Sequence, residues 1–211
     1  LWSMFPLDLE PKINKEILFE IISSWKNSLL NNIISSLVAY GPLLFVGIYF
    51  GMESFAFLYL AYISGFFLYE NITLFLNSAM LHKFSSMDQS EMFRINMLHI
   101  MEYVSFVIVP LSIISVMLAK EIVTFFLGET WSNSAEILVF LFLAGLVKGV
   151  SEVSRIALIV KSKQSVISKI RLFEFLFLAA GMLALTKMLG LTGVAISIFL
   201  ASLISSFLYL L

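Results

Sequence analysis

The chain has 211 residues, of which 60% are hydrophobic and only 13% are charged, with a formal net charge of -1. Soluble domains typically have about 45–50% apolar and about 25% charged residues, so this composition predicts an integral membrane protein that uses lipid as its solvent. The charge balance provides no basic surface for nucleic acid, and the lack of cysteine excludes disulfides and thiol chemistry.

The beginning of the chain suggests that it is a piece of a longer protein. It starts at Leu1 rather than at a methionine, and "LWSMFPLDLEP" has neither the basic start nor the apolar core of a signal peptide. We expect residues 1–24 to form a cytoplasmic linker or amphipathic lead-in. Residues 25–211 are then expected to form a transmembrane bundle.

Six segments are long and apolar enough to cross a bilayer as helices, which takes about 20 residues each. Their length and their lack of strict alternation favour helices over strands. The expected spans are 26–50, 54–81, 96–118, 134–160, 168–187 and 192–211. The sequence therefore predicts an all-α membrane protein with a bundle of about six transmembrane helices.

Lysine and arginine in the predicted loops indicate the orientation, because basic residues concentrate in cytoplasmic loops. One set of alternate loops carries nine basic residues and the other set carries two. The richer set is Lys12, Lys15, Lys26, Lys83, Arg94, Lys161, Lys163, Lys169 and Arg171, and the poorer set is Lys120 and Lys187. We expect a multi-pass protein of the cytoplasmic membrane with both ends of this segment in the cytoplasm.

The first predicted span has a polar stripe at its cytoplasmic end. Asn27, Asn31 and Ser35 recur at helical spacing, and Pro42 is expected to kink the same helix. Small polar residues often pack helices together in membranes, whereas a water-filled vestibule would also need such a stripe. Both interpretations are open, and the asparagines slightly favour the vestibule.

Several charged residues fall within the predicted spans. Glu70 lies in the second span, Lys148, Glu152 and Arg155 share one stripe of the fourth, and Glu174 lies in the fifth. Each charge at a helix centre costs about 2.5–3.5 kcal/mol on insertion scales, so these residues are expected to face the bundle interior or water. They form either an ion-pair lattice that holds the helices in register or a cavity for an anionic or sugar-bearing substrate.

The spacing of these charges suggests their partners. Lys148 and Glu152 are four residues apart and Glu152 and Arg155 are three apart, so pairing within the helix is possible. Glu70 and Glu174 are further candidate partners for Arg155. Two cations around one acid would leave Lys148 or Arg155 able to bind phosphate.

No catalytic motif accompanies the charges. The chain has no glycine-rich phosphate loop, no histidine pair at metal-ligand spacing and no nucleophile elbow. We therefore expect no catalytic residues, no metal and no cofactor, and a protein that is not an enzyme.

Three stretches resemble the polysaccharide-transporter branch of the multidrug/oligosaccharidyl-lipid/polysaccharide flippase superfamily, the branch of the O-antigen and oligosaccharide flippases. The first runs from Pro110 through "SVMLAKEIVTFFLGETWSNSAEILVFLFLAGLVKGV", a proline-bearing helix followed by an amphipathic segment. The others are "LNNIISSLVAYGPLLFVGIYFGMESFAFLYLAYISG" and "LGLTGVAISIFLAS", in which Gly190 and Gly193 would turn the chain.

The resemblance implies that this chain is the C-terminal bundle of a MATE-like transporter with two six-helix bundles. Its partners would be a lipid-linked oligosaccharide, membrane lipid, and a missing N-terminal bundle or a second copy. The implied function is transport of polysaccharide precursors across the cytoplasmic membrane by alternating access, for surface polysaccharide biosynthesis.

The membrane charges supply the candidate substrate-binding residues of this transporter: Lys148, Glu152, Arg155, Glu70, Glu174, Asn27, Asn31 and Ser35. Lys148 and Arg155 would attract phosphate or acidic sugars, and Glu152 would hold them apart. Two alternatives remain at this stage. One is a cation-coupled multidrug exporter of the same superfamily that depends on Glu70, Glu102 or Glu174. The other is a membrane scaffold of a glycan-assembly complex without transport of its own.

Overall fold

A computed structural model of the chain describes residues 15–84, 91–132 and 134–211, and these ranges consist of helices joined by short turns, without strands. The helices are α1 (Lys15–Phe50), α2 (Met52–Phe84), α3 (Glu91–Met117), α4 (Ala119–Leu127), α5 (Ser134–Val160) and α6 (Gln164–Leu210). A single 3-10 turn, Glu129–Trp131, links α4 to α5.

Five of these helices, all except α4, are long and apolar enough to cross a membrane. The prediction of an all-α membrane protein is therefore confirmed. Helix α1 begins at Lys15, upstream of the first expected span, and its apolar, membrane-compatible part runs from Asn31 to Phe50. Residues 15–24, expected to be a separate lead-in, thus belong to the first helix, and residues 1–14 lie outside the described part of the chain.

The last two expected spans form one helical run, α6, that is broken at a single glycine. Gly190 has φ 59° and ψ -134°, which is not a helical conformation. A straight helix of 47 residues would be about 70 Å long, whereas the hydrocarbon core of a bilayer is about 30 Å thick. A Cβ placed on Gly181 would lie 3.1 Å from Ser197 Oγ, so the two arms of α6 lie side by side as an antiparallel hairpin.

The two glycines expected to turn the chain therefore have different roles. Gly190 makes the reversal, because its positive φ is accessible to glycine at little cost. Gly193 lies on the second arm, where an added Cβ would meet the backbone of Leu185. Gly193 thus permits the close approach of the two arms. The break expected between the spans 168–187 and 192–211 is reduced to one non-helical residue, Gly190.

Substitution of Gly190 by alanine should destabilise the hairpin through backbone strain alone. An added Cβ at this position has no atom within 4 Å, so no steric overlap contributes. We expect the free energy of unfolding to fall by about 1–3 kcal/mol. Unfolding in mixed micelles measures this loss, and Gly41→Ala, at a helical glycine that also has open space, is the matched control. Equal stability of the two variants would contradict the strained turn.

Helix α5 is the centre of the bundle and packs against α2, α3, α4 and α6. Its most apolar window is 56% buried, compared with 11% for that of α3. Glycines permit the close contact between α5 and α2, since a Cβ on Gly145 would overlap the carbonyl oxygen of Gly65. Because α5 carries the charged stripe, this packing places the charges in the interior of the bundle.

The segment after α3 agrees with the expected amphipathic connection. Phe125 and Phe126 of α4 are 83% and 74% exposed, and the ring centroid of Trp131 lies 4.0 Å from that of Phe57 on α2. Exposed aromatic side chains next to a membrane span are typical of the interfacial zone. This end of the bundle is opposite the turn between α5 and α6. The charged stripe of α5 runs from the middle of the helix toward that turn.

Candidate functional site

Five charged side chains from α5 and the first arm of α6 form a buried group. We call this group the charge cluster: it consists of Lys148, Glu152, Arg155, Arg171 and Glu174. It extends from the middle of α5 toward the turn that leads into α6. The fourth-span stripe that the sequence predicts to face the bundle interior therefore does so.

Glu174 is held by two cations from different helices. Its Oε2 accepts a hydrogen bond from Arg171 Nη1 at 3.1 Å, and its Oε1 lies 2.9 Å from Lys148 Nζ. The Lys148 contact is an ion pair without hydrogen-bond alignment, so Oε1 has a charge partner and no well-directed donor. The ammonium of Lys148 also lies 5.5 Å from the ring centroid of Phe66.

Glu152 and Arg155 form the second ion pair of the cluster. Arg155 Nε donates to Glu152 Oε2 at 2.9 Å, and Arg155 Nη2 donates to Glu152 Oε1. This two-bond fork matches the planar guanidinium to the carboxylate. Tyr69 of α2 adds a longer contact, with its hydroxyl 3.5 Å from Glu152 Oε2.

Burial distinguishes the acids from the bases in the cluster. The side chains of Glu152 and Glu174 are 2% and 1% exposed, whereas those of Lys148, Arg155 and Arg171 are 13%, 18% and 15% exposed. Three cations and two carboxylates leave one formal positive charge in excess. The arrangement thus neutralises each buried carboxylate and retains an unbalanced cation inside the bundle.

A small cavity of about 10 Å³ opens between the members of the cluster, which is room for one water-sized species. Four hydroxyl groups border it, together with every member of the cluster except Glu174. The hydroxyl-bearing residues are Tyr69, Ser151, Ser205 and Tyr209. Ser151 Oγ hydrogen-bonds to Ser206 Oγ at 3.0 Å, which joins α5 to the second arm of α6 beside the cavity.

A larger cavity of about 260 Å³ lies elsewhere, between α2, α4 and the beginning of α5. Its walls are mainly apolar and include Phe57, Leu60, Phe126 and Leu138. Because no charged side chain lines it, this cavity does not share the chemistry of the charge cluster.

Three of the candidate pairings do not form. Arg155 pairs with Glu152 and not with Glu174 or Glu70, and Lys148 pairs with Glu174 rather than with its neighbour Glu152. Glu70 is exposed, and its carboxylate makes no ion pair with any residue that the structure describes. The reason is helix rotation, since Gly65 faces α5. Glu70 is five residues further along α2, which places it about 140° around the helix from Gly65.

The polar stripe of α1 does not border the charged cavity. Asn31 and Ser35 are half-buried, and the Oδ1 atom of Asn31 is buried without a hydrogen-bond partner in the described part of the chain. Asn27 lies in the same helix, and its side chain is outside the described residues. The stripe therefore remains separate from the charge cluster, which is built from α5 and α6.

Two contributors to this site were not predicted from the sequence. Arg171 was assigned to a cytoplasmic loop, although its spacing of three residues from Glu174 is that of an ion pair on a helix. Tyr209, from the other end of α6, borders the cavity because the hairpin brings the second arm back. No local signal identifies this tyrosine.

The fold and the site together define a multi-pass membrane protein that keeps a net cationic cluster within its bundle. Residues 1–136 match a family model described as "Polysaccharide biosynthesis protein". The chain belongs to this polysaccharide biosynthesis protein family. The match includes α1 to α4. The charge cluster lies on α5 and α6, beyond the matched residues, so its assignment as a candidate site is based on the geometry alone. No curated protein and no solved structure matches the sequence.

Proposed function

We propose that the chain is part of a transporter that moves lipid-linked oligosaccharide or polysaccharide precursors across the cytoplasmic membrane, and that it is not an enzyme. The supporting observation is a buried cluster with one excess cation in a member of a polysaccharide biosynthesis family. Lipid-linked glycan precursors carry phosphate, which arginine binds through its planar fork and lysine as a point charge.

In this proposal the cations of the cluster exchange partners during transport. The cavity beside them has room for only one water-sized species, so in this proposal the described arrangement is the closed one. Alternating access separates the helices, and Lys148, Arg155 and Arg171 then turn from their carboxylates to the phosphate. Asn31 and Ser35 offer hydrogen bonds to sugar hydroxyls at the cytoplasmic mouth, with Asn27 continuing the same stripe.

A partner bundle completes the transporter in this proposal, either an N-terminal bundle of the same protein or a second copy. Glu70 supports it, because an exposed carboxylate at membrane depth is costly in contact with lipid. Between two bundles the same carboxylate would line an aqueous cleft as a cavity or ion-coupling residue.

The geometry gives less support to a drug exporter that binds cations through a free carboxylate. Glu174 already has two cationic partners, and Glu102 is exposed beside His99 at 3.4 Å. Both acids within the described cluster are neutralised by bases. A cluster with an excess of bases favours an anionic substrate over a cationic one.

Neutralising the Glu152–Arg155 pair should impair transport while sparing the fold. In the double variant Glu152→Gln/Arg155→Gln both charges are removed together, so no buried charge is left without its partner. Loss of a charge-assisted hydrogen bond to phosphate should lower export about tenfold or more. Mass spectrometry of the lipid-linked oligosaccharide pool in cells measures the effect as accumulation of the intermediate.

Lys120→Gln is the matched control, because Lys120 is an exposed base on α4 outside the cluster. Cells without the gene provide the reference for complete loss. Normal surface glycan and an unchanged precursor pool in the double variant, at wild-type protein level, would remove the proposed role of Arg155. An unchanged pool in cells without the gene would remove the flippase proposal itself.

Cysteine labelling should establish the proposed orientation, and the absence of native cysteine gives it a clean background. Thr130→Cys, after α4, should react with an impermeant thiol reagent from outside the cell, and Lys163→Cys, in the turn before α6, only after permeabilisation. Glu70→Cys should react through an aqueous cleft. The reverse pattern at the first two positions would invert the orientation, and no reaction at position 70 would support a lipid-facing or scaffold surface.

A further inference from the structure

The excess positive charge of the cluster poses a physical problem that no carboxylate in the described part of the chain solves. Each carboxylate oxygen of Glu152 and Glu174 already faces a cationic nitrogen. Transferring an unbalanced charge into a low-dielectric interior is strongly unfavourable unless a counter-ion accompanies it. No further described carboxylate pairs with these bases.

The small cavity beside the cluster has spare hydrogen-bond donors. The hydroxyl of Tyr209 is buried and has no hydrogen-bond partner among the described residues, and the residue is 8% exposed. Arg155 uses Nε and Nη2 on Glu152, which leaves its Nη1 without a described hydrogen bond. A guanidinium has five N–H donors and no acceptor. The hydrogen-bonding groups of Arg155 and Arg171 that remain unused beside the cavity are therefore all donors.

We propose that this cavity binds one small monovalent anion of the chloride class. The anion would accept hydrogen bonds from Tyr209 and Arg155 and would offset the excess charge of the cluster. The cavity volume of about 10 Å³ admits a monatomic species and excludes a phosphate group. A water molecule could accept the same hydrogen bonds, yet it would leave the net charge in place. The inference does not rest on the transport proposal, since it concerns only the charges and the cavity that the structure describes.

The thermal stability of the purified full-length protein in detergent tests this site. A ligand that binds only the folded state raises the melting temperature with its concentration. We expect sodium chloride and sodium bromide to raise it in a saturable manner relative to sodium gluconate at the same ionic strength. Gluconate is too large for the cavity, so it controls for general screening of exposed charges.

Tyr209→Phe removes the spare hydroxyl and retains the aromatic ring. It should weaken the apparent chloride affinity about tenfold, since a hydrogen bond to a charged group is worth about 1.5–3 kcal/mol. Tyr103→Phe is the control, because Tyr103 is 72% exposed on α3 and does not border the cavity. Should Tyr209→Phe fold poorly, bromide bound in crystals of the wild-type protein gives an anomalous signal at the cavity.

Three outcomes decide the inference. A chloride-dependent shift that Tyr209→Phe loses and Tyr103→Phe retains supports the site. The same melting temperature in chloride and gluconate overturns it and leaves water as the occupant. A shift that both variants retain places anion binding elsewhere and also overturns it. None of these results depends on the precursor pool in cells, so the site and the transport proposal can fail separately.

Discussion

Replacing Glu174 with glutamine is expected to lower the free energy of unfolding by about 3–5 kcal/mol, which is the range for breaking a buried ion pair by removing one partner. Glu174 is 1% exposed and is the carboxylate partner of both Lys148 and Arg171. The variant leaves both cations inside the bundle without their carboxylate partner. Glutamine preserves the shape of the side chain, so the loss reports charge rather than a cavity.

Lys148→Met provides the informative comparison. It removes one cation, while Glu174 keeps its hydrogen bond from Arg171 at 3.1 Å. We therefore expect a smaller loss of about 1–3 kcal/mol, the cost of a buried group with incomplete pairing. Glu102→Gln is the control on an exposed surface and should change the free energy of unfolding by no more than about 0.5 kcal/mol.

Unfolding in mixed micelles, followed by tryptophan fluorescence or circular dichroism, measures all three variants. The predicted order of destabilisation is Glu174→Gln, then Lys148→Met, then Glu102→Gln. If Lys148→Met proved as damaging as Glu174→Gln, the shared role of Glu174 between two cations would be wrong.

The second large effect is expected at the crossing of α2 and α5. Gly145→Ala would place a Cβ against the carbonyl oxygen of Gly65, and the backbone of α2 cannot move aside as a flexible side chain can. Extra volume in a close-packed interior typically costs about 1–3 kcal/mol, and this rigid contact should reach the upper end of that range. Helices α2 and α5 would have to separate near the charge cluster.

Gly41→Ala is the matched control for this substitution. Gly41 lies within α1, and a Cβ there meets nothing within 4 Å, so the same chemical change should be tolerated. The melting temperature and the fraction of protein recovered as a monodisperse species measure the contrast. Equal behaviour of the two alanine variants would contradict the close approach of α2 and α5.

Local features of this protein were readable from its sequence. The apolar composition and the length of the segments predicted an all-α membrane protein, because lipid and backbone hydrogen bonding leave few alternatives. The spacing of Glu152 and Arg155 made an ion pair within one helix possible, and this pair is present. The break at Gly190 was also predicted, although only one residue makes the turn.

The partners across helices were not readable in the same way. Lys148 pairs with Glu174, and Arg171 joins them from a segment that was assigned to a loop. Glu70 was a reasonable candidate for the interior, and it is exposed. Helical periodicity identifies which residues share a face, but it does not state which neighbouring helix that face contacts.

Sequence by itself thus determined that these helices cross a membrane and that Glu152 and Arg155 can pair, because both follow from local composition and spacing. Only the tertiary structure decided which face of each helix points into the bundle and how much of each helix is buried there. The close contact at Gly65 and Gly145 orients α2 against α5, and the α6 hairpin returns Tyr209 to the cavity beside Arg155. Such contacts join residues far apart in the chain, and packing between helices selects them.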